Sequence, residues 1–271
     1  MIVKENQGLN YKEPIEIAQG IYWVGFLDKD YSLHCNPYLI VEGDEAILID
    51  GGSRTDFSTV MMKILQTGIK PINIKNLIYQ HYDPDLCSSI PDFQEIIDNK
   101  KLSIISHREN NVFIKYYGGS LKRRCIEGLD FEWEFSTGRK LKFYRTPYSH
   151  SPGSFITFDK KTGVLFSSDL FGSYAKEWEL FLELDSECYE CHSYNDCSAN
   201  KSECPIQGIR DFHVNIMTSK KALNYALNKI KKLPIELVAP QHGSVISKKK
   251  TIDSIIKKLE EIDNIGIDNI F

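Results

Sequence analysis

The chain has 271 residues, 42% of them hydrophobic, and its 33 Lys and Arg against 37 Asp and Glu leave a formal charge of −4, with the two signs interleaved. A chain of this length can bury a substantial core, and its mild acidity offers neither the basic face of a nucleic-acid groove nor a cationic patch for an anionic membrane. A small neutral ligand or a protein partner is the expected class of target.

The first residues run into polar side chains without the apolar stretch of a secretory leader, and no later run approaches the ~20 apolar residues of a membrane span, so the expected location is cytoplasmic. Apolar runs predict strands at residues 20–25, 37–41 and 45–50, the last two joined through Gly43 as a hairpin. Residues 56–67 place Phe57, Val60, Met61, Ile64 and Leu65 on one helical face, with Asp56 as a cap. A strand at 74–79 then leads into a polar, proline-containing loop at 80–89, the position where open α/β sheets place their chemistry. A helix at 91–99, a strand at 102–106 and a helix at 108–117 follow. Strands at 142–145 and 154–158 flank a loop containing His150, and a strand at 164–168 ends at Asp169. Beyond an irregular cysteine-bearing insert at about 185–207, the spacing of Ile216, Met217, Ala222, Leu223, Ala226, Leu227 and Ile230 predicts one long helix over 214–232. A strand at 236–239 leads to His242, and a helix at 252–262 closes the pattern. Strands and helices alternate without a repeat or a biased linker, which predicts an α/β fold in one domain over residues 1–271.

Seven cysteines, an odd number in a large chain without a leader, argue against a disulfide framework. Cys188, Cys191, Cys197 and Cys204 cluster in the insert, where a four-thiolate metal site, a redox role or plain reduced thiols all fit the spacing, and His192 offers a further donor. Cys35, Cys87 and Cys125 read as structural, and His34, His107 and His213 as surface or capping residues. Neither a P-loop nor a Ser-His-Asp order is present.

Six other side chains carry the chemistry. His81, Asp83, Asp85, His150, Asp169 and His242 all follow predicted strands. Alternate residues of an extended or sharply turned segment can converge, so His-x-Asp-x-Asp around Pro84 can present three donors to a cation, although alone it reads equally as a solvated acidic turn. Three imidazoles and three carboxylates brought to one place could hold two metals harder than a thiolate site would select.

These segments occur as His81-x-Asp83-x-Asp85, then His150 followed by Ser-Pro-Gly, Asp169 followed by Leu-Phe-Gly, and His242 between Gln241 and Gly243. In this order they resemble the metallo-β-lactamase superfamily, and within it the di-iron domain of flavodiiron proteins, over about residues 16–262. The resemblance implies an αββα sandwich holding two irons, with zinc or manganese compatible with the same donors. One iron would take His81, Asp83 and His150, the other Asp85 and His242, with Asp169 bridging. It implies dioxygen or nitric oxide as ligand and a head-to-tail homodimer. Hydrolases of the superfamily carry His-x-His-x-Asp-His, so Asp83 stands in place of a histidine and disfavours the competing class, a binuclear zinc hydrolase. Asp83 is also one methylene shorter than the flavodiiron glutamate, and Leu86 occupies the place of the loop's second histidine. No flavodoxin segment, and hence no FMN, is expected within these residues. Electrons are therefore expected from an external donor, unless the site senses or carries oxygen, as in stand-alone di-iron proteins linked to chemotaxis receptors.

Overall fold

The computed structural model describes residues 5–26, 33–191 and 204–270. Its first sheet follows chain order: β1 (Ile15–Ala18), β2 (Ile21–Trp23), β3 (Tyr38–Glu42), β4 (Glu45–Ile49), β5 (Ile74–Ile78), β6 (Ser103–Ser106) and β7 (Lys122–Cys125). Pairing is antiparallel as far as β4 and parallel from β4 onward. That change requires crossovers, supplied by α1 (Phe57–Gln66) before β5 and by α2 (Pro84–Cys87) and α3 (Ile90–Ile97) before β6; α4 (Arg108–Ile114) precedes β7. The second sheet contains β8 (Glu132–Glu134), β9 (Lys140–Arg145), β10 (Phe155–Asp159), β11 (Val164–Phe166) and β12 (Leu237–Ala239), in the order β12-β11-β10-β9-β8. The remaining helices are α5 (Ser186–Glu190), α6 (Pro205–Ile216), α7 (Lys220–Ile230) and α8 (Lys249–Glu260).

Strand alternation decides the layers. In β4, Ile47 and Ile49 join Tyr38 and Ile40 between the sheets, while Ala46 and Leu48 face the other way, with Val60, Ile64 and Phe93 from α1 and α3. In β11, Val164 and Phe166 complete the inter-sheet core, and Leu165 packs with Leu227 of α7 and Ile252 and Ile256 of α8. Helices therefore cover both outer faces, giving the αββα sandwich implied by the resemblance. Each such Ile or Leu, fully buried, contributes roughly 1.5–3 kcal/mol.

At one end of the sandwich a buried ion pair ties the sheets together. Arg139 donates through Nε to Asp159 Oδ1 at 3.0 Å and through a terminal nitrogen to Oδ2 at 2.7 Å, and its other nitrogen reaches Glu42 of β3 at 3.1 Å. The opposite end collects the carboxyl ends of β4, β5, β11 and β12.

Several local readings change. The segment expected as one helix over 214–232 is two, because Ser219 caps α7 by accepting from the Ala222 N–H at 3.2 Å, while Thr218 turns away to donate to the Tyr148 carbonyl at 2.7 Å. Met217 and Leu223 are buried on either side of this break, so the apolar periodicity runs through it. The insert expected at 185–207 holds α5 and the start of α6, and Cys197 and His192 lie outside the described residues. Edge strand β7 was missed because Lys122 and Arg123 are exposed, a composition that protects an edge but lacks an apolar face.

Candidate metal centre

β5 delivers the first donors. Beyond it, Gln80 is locked to Asp50 at the end of β4, donating from its backbone N–H and side-chain amide to the two carboxylate oxygens, each at 3.0 Å. Burial pushes the Asp50 carboxyl up to about 6, against the opposing pull of the His81 charge and the Gln80 hydrogen bonds. His81 follows immediately. Asp83 then adopts extended backbone, and Pro84 starts the single turn of α2, whose fixed φ suits a first helical position. Leu86 and Cys87 point into the core beneath α1 and α3, and Asp83 and Asp85 point the other way, partly exposed. The loop expected at 80–89 thus contains a turn of helix that sorts donors from core residues.

His150 lies between β9 and β10, on a loop held by Asn110 of α4, whose amide donates to the Gly153 carbonyl at 2.9 Å and to Ser106 Oγ at 3.0 Å. A side chain at Gly153 would place its Cβ 2.1 Å from Asn110 Oδ1, so the close approach requires glycine. After β11, Ser168 and Phe171 take positive φ values of 55° and 67°, turning the chain sharply around Asp169. His213, buried in α6, accepts from the Phe171 N–H at 3.1 Å and donates from Nδ1 to the Ile209 carbonyl at 2.7 Å. His242 follows β12, where Asn36 donates to the Pro240 and Gly243 carbonyls at 3.1 and 2.7 Å.

All six side chains converge. His150 Nε2 lies 3.0 Å from Asp83 Oδ2 and 3.6 Å from Asp169 Oδ2. His81 Nε2 lies 3.7 Å from Asp169 Oδ1 and 4.0 Å from Asp83 Oδ2. On the other side, His242 Nε2 lies 3.4 Å from Asp85 Oδ2 and 3.7 Å from Asp169 Oδ1. Donors around one cation, each about 2.0–2.2 Å from it, sit roughly 3–4 Å from one another, and both halves show this spacing with Asp169 between them.

The electrostatics favour a cation. Asp169 Oδ1 is buried without a hydrogen-bond partner, an arrangement that costs free energy unless positive charge sits beside it. Burial pushes the His150 ring down, but its hydrogen bond to Asp83 and the charges of Asp169, Asp83 and Asp85 raise it to about 9. Burial likewise pushes Asp83 up, and the His150 hydrogen bond with the His81 and His150 charges brings it below the usual carboxylate range. The proton held on His150 thus offsets part of the carboxylate charge of the pocket.

Partners beyond the six orient the rings. For His81 Nε2 to present a lone pair, Nδ1 carries the hydrogen, and Ser168 Oγ lies 3.0 Å away to accept it. His242 Nδ1 has the His34 carbonyl at 2.9 Å for the same purpose. Sequence reasoning missed these roles. His34, His107 and His213, expected at the surface or in caps, are all buried, although His107 does cap α4. Cys35, read as structural, lies at the centre, with Sγ 3.6 Å from Asp85 Oδ2. Among the described residues, the three groups of converging donors all belong to this centre, and none involves Cys188, Cys191 or Cys204.

The family model described as ODP family beta lactamase matches residues 33–243, from just before Cys35 to just past His242. The chain belongs to this family. Over 273 aligned residues it is 26% identical to an anaerobic nitric oxide reductase flavorubredoxin of Aeromonas hydrophila, covering 94% of this chain and 51% of that protein. A solved structure described as the peroxy diiron species of the chemotaxis sensor ODP superposes with a TM-score of 0.72 at 24% identity, covering 92% of this chain and 94% of that one. The flavodiiron protein from Giardia intestinalis superposes with a TM-score of 0.75 at 19% identity, covering 92% and 59% of the two chains. The chain spans between 51% and 60% of the length of the first curated relatives it matches. No helix among the described residues is long and apolar enough to cross a membrane.

Proposed function

We propose that this ODP-family chain is a binuclear non-haem iron protein that binds dioxygen or nitric oxide, as a sensor or carrier or as a reductase supplied by an external electron donor. In this reading residues 1–271 form one domain, the protein works in the cytoplasm as a homodimer, and a chemotaxis-type receptor is the signalling partner in the sensor case. The observation that carries it is the group formed by His81, His150 and Asp83, with Asp83 3.0 Å from His150. Two imidazoles and one carboxylate are the donor set of oxygen-handling ferrous sites and are also used by catalytic zinc, so the donors fit iron and metal quantitation decides between the two. Asp85 and His242 would hold the second iron, and Asp169 would bridge the pair.

When bound, the two irons supply the redox-active centre at which a diatomic ligand is held. The chain's own part is positional. Ser168 and the His34 carbonyl fix the His81 and His242 rings. Asp83 and Asp85 lie on the partly exposed side, from which a small ligand can enter.

Anaerobic purification, iron and zinc quantitation and oxygen titration followed by absorption test the proposal. Two irons per chain with an oxygen-dependent near-ultraviolet band support it. Stoichiometric zinc with turnover of esters or lactams would overturn it. With an external reductant, sustained oxygen consumption identifies the reductase, and a long-lived oxygenated form identifies the sensor.

A further inference from the structure

Cys35 approaches the centre from the side where donors are fewest. In the binuclear reading, besides Asp169, one iron would take three side chains, His81, His150 and Asp83, and among the described residues the other would take two, Asp85 and His242. Leu86 cannot add to the second set, because its side chain has no donor atom and is fully buried in the core beneath α1 and α3.

The backbone places Cys35 against His242. The two residues form an isolated antiparallel bridge, and the next residue, Asn36, donates its N–H to the Gln241 carbonyl at 2.8 Å. Cys35 Sγ lies 3.6 Å from Asp85 Oδ2, the same oxygen that lies 3.4 Å from the metal-facing Nε2 of His242, and Sγ is 3.9 Å from the other ring nitrogen, Nδ1. One donor atom from each of Cys35, Asp85 and His242 lies within 4.8 Å of the others, the same convergence shown by His81, His150 and Asp169. A second, independent observation points to a cation here. Asp169 is 2% exposed, and its Oδ1, without a hydrogen-bond partner, lies 3.7 Å from His242 Nε2 on this side and 3.7 Å from His81 Nε2 on the other.

We propose that Cys35 is a ligand of the metal held by Asp85 and His242, so that the two halves of the centre differ in kind: nitrogen and oxygen on one side, nitrogen, oxygen and sulfur on the other. The inference rests on the binuclear reading above. As the metal–sulfur bond forms, the thiol proton leaves to solvent, and no electron is transferred. A thiolate is softer than the donors it joins, so the Cys35 half would retain zinc or ferrous iron more firmly and would be the later of the two to exchange its metal.

The full-length protein provides the test, in a background where Cys188, Cys191, Cys197 and Cys204 are serine so that the insert supplies no sulfur. Loaded anaerobically with cobalt(II) alone, this background should show a near-ultraviolet thiolate-to-metal charge-transfer band, and loaded with ferrous iron it should show a metal–sulfur path in X-ray absorption. Both signals should be lost in Cys35→Ser while two metals remain bound. Two metals bound without either signal overturns the Cys35 assignment and leaves the binuclear reading intact, as does a signal that persists in Cys35→Ser. Failure of the background to bind metal while it retains its fold overturns both. X-ray absorption of the unmutated chain, with no metal–sulfur path, is a further refutation that does not depend on the variants folding.

Discussion

Lys63 of α1 provides a quantitative test of the packing. Its side chain is fully buried, its ammonium lies 3.9 Å from the centroid of the Trp23 ring, and it donates to the Gly25 carbonyl. Burial disfavours the charged form and lowers its pKa from 10.5 to about 7. Between those values the unfolded chain binds the proton more firmly than the folded one, so stability rises with pH across that window, and the penalty is largest at and below pH 7. At 1.36 kcal/mol per pKa unit, the penalty is about 4 kcal/mol at pH 7 and about 1 kcal/mol at pH 9.5. Lys63→Met removes it. It also strands the Gly25 carbonyl, at about 1–3 kcal/mol. The variant should therefore be roughly as stable as the parent, or more stable, at pH 7, and less stable at pH 9.5. Urea unfolding followed by tryptophan fluorescence measures both. The variant-minus-parent difference should move by about 3 kcal/mol between the two pH values, and a movement below about 1 kcal/mol would refute the buried-ammonium argument.

Two further perturbations probe the same scaffold. Asp159→Asn leaves the buried Arg139 guanidinium without its bidentate partner and should cost about 3–5 kcal/mol in urea unfolding, while the paired replacement Arg139→Met with Asp159→Leu should cost less than either single change. His213 is held near pKa 4, because burial outweighs the Ile209 hydrogen bond and the Asp169 charge, so its neutral ring contributes stability above about pH 6.5 that is lost as pH falls toward 4. His213→Phe should flatten that acid limb and cost about 1–3 kcal/mol at neutral pH, since the Phe171 N–H loses its acceptor; an acid limb unchanged from the parent would remove His213 from the account.

The parts of this molecule legible in the sequence are those whose signal is local. Ile47 and Ile49 alternate with Ala46 and Leu48, and the two faces of β4 follow from that alternation. The loops that bring the six His and Asp side chains together were legible for the same reason, each loop following a strand. The split between α6 and α7 was not, because Met217 keeps its place in the apolar stripe while Thr218 and Ser219 redirect the backbone through single hydrogen bonds. Lys63 was invisible for a related reason. It sits beside Met61 and Ile64 on α1, and only the tertiary fold brings Trp23 and the Gly25 carbonyl to its ammonium.

Cys35 marks the boundary between these cases. A cysteine between a histidine and an asparagine carries no motif, and 207 residues separate it from the ring it faces. Its place depends on Asn36, whose side chain holds the Pro240 and Gly243 carbonyls and so carries the segment of residues 33–36 onto the end of β12. The same contact brings the His34 carbonyl to His242 Nδ1. One asparagine thus both orients a histidine and presents a thiol. Asn36→Ala would disturb ring and thiol together and could not separate their roles, whereas Cys35→Ser leaves the segment pinned and changes only the donor atom. The difference between those variants distinguishes a ligand from a spacer.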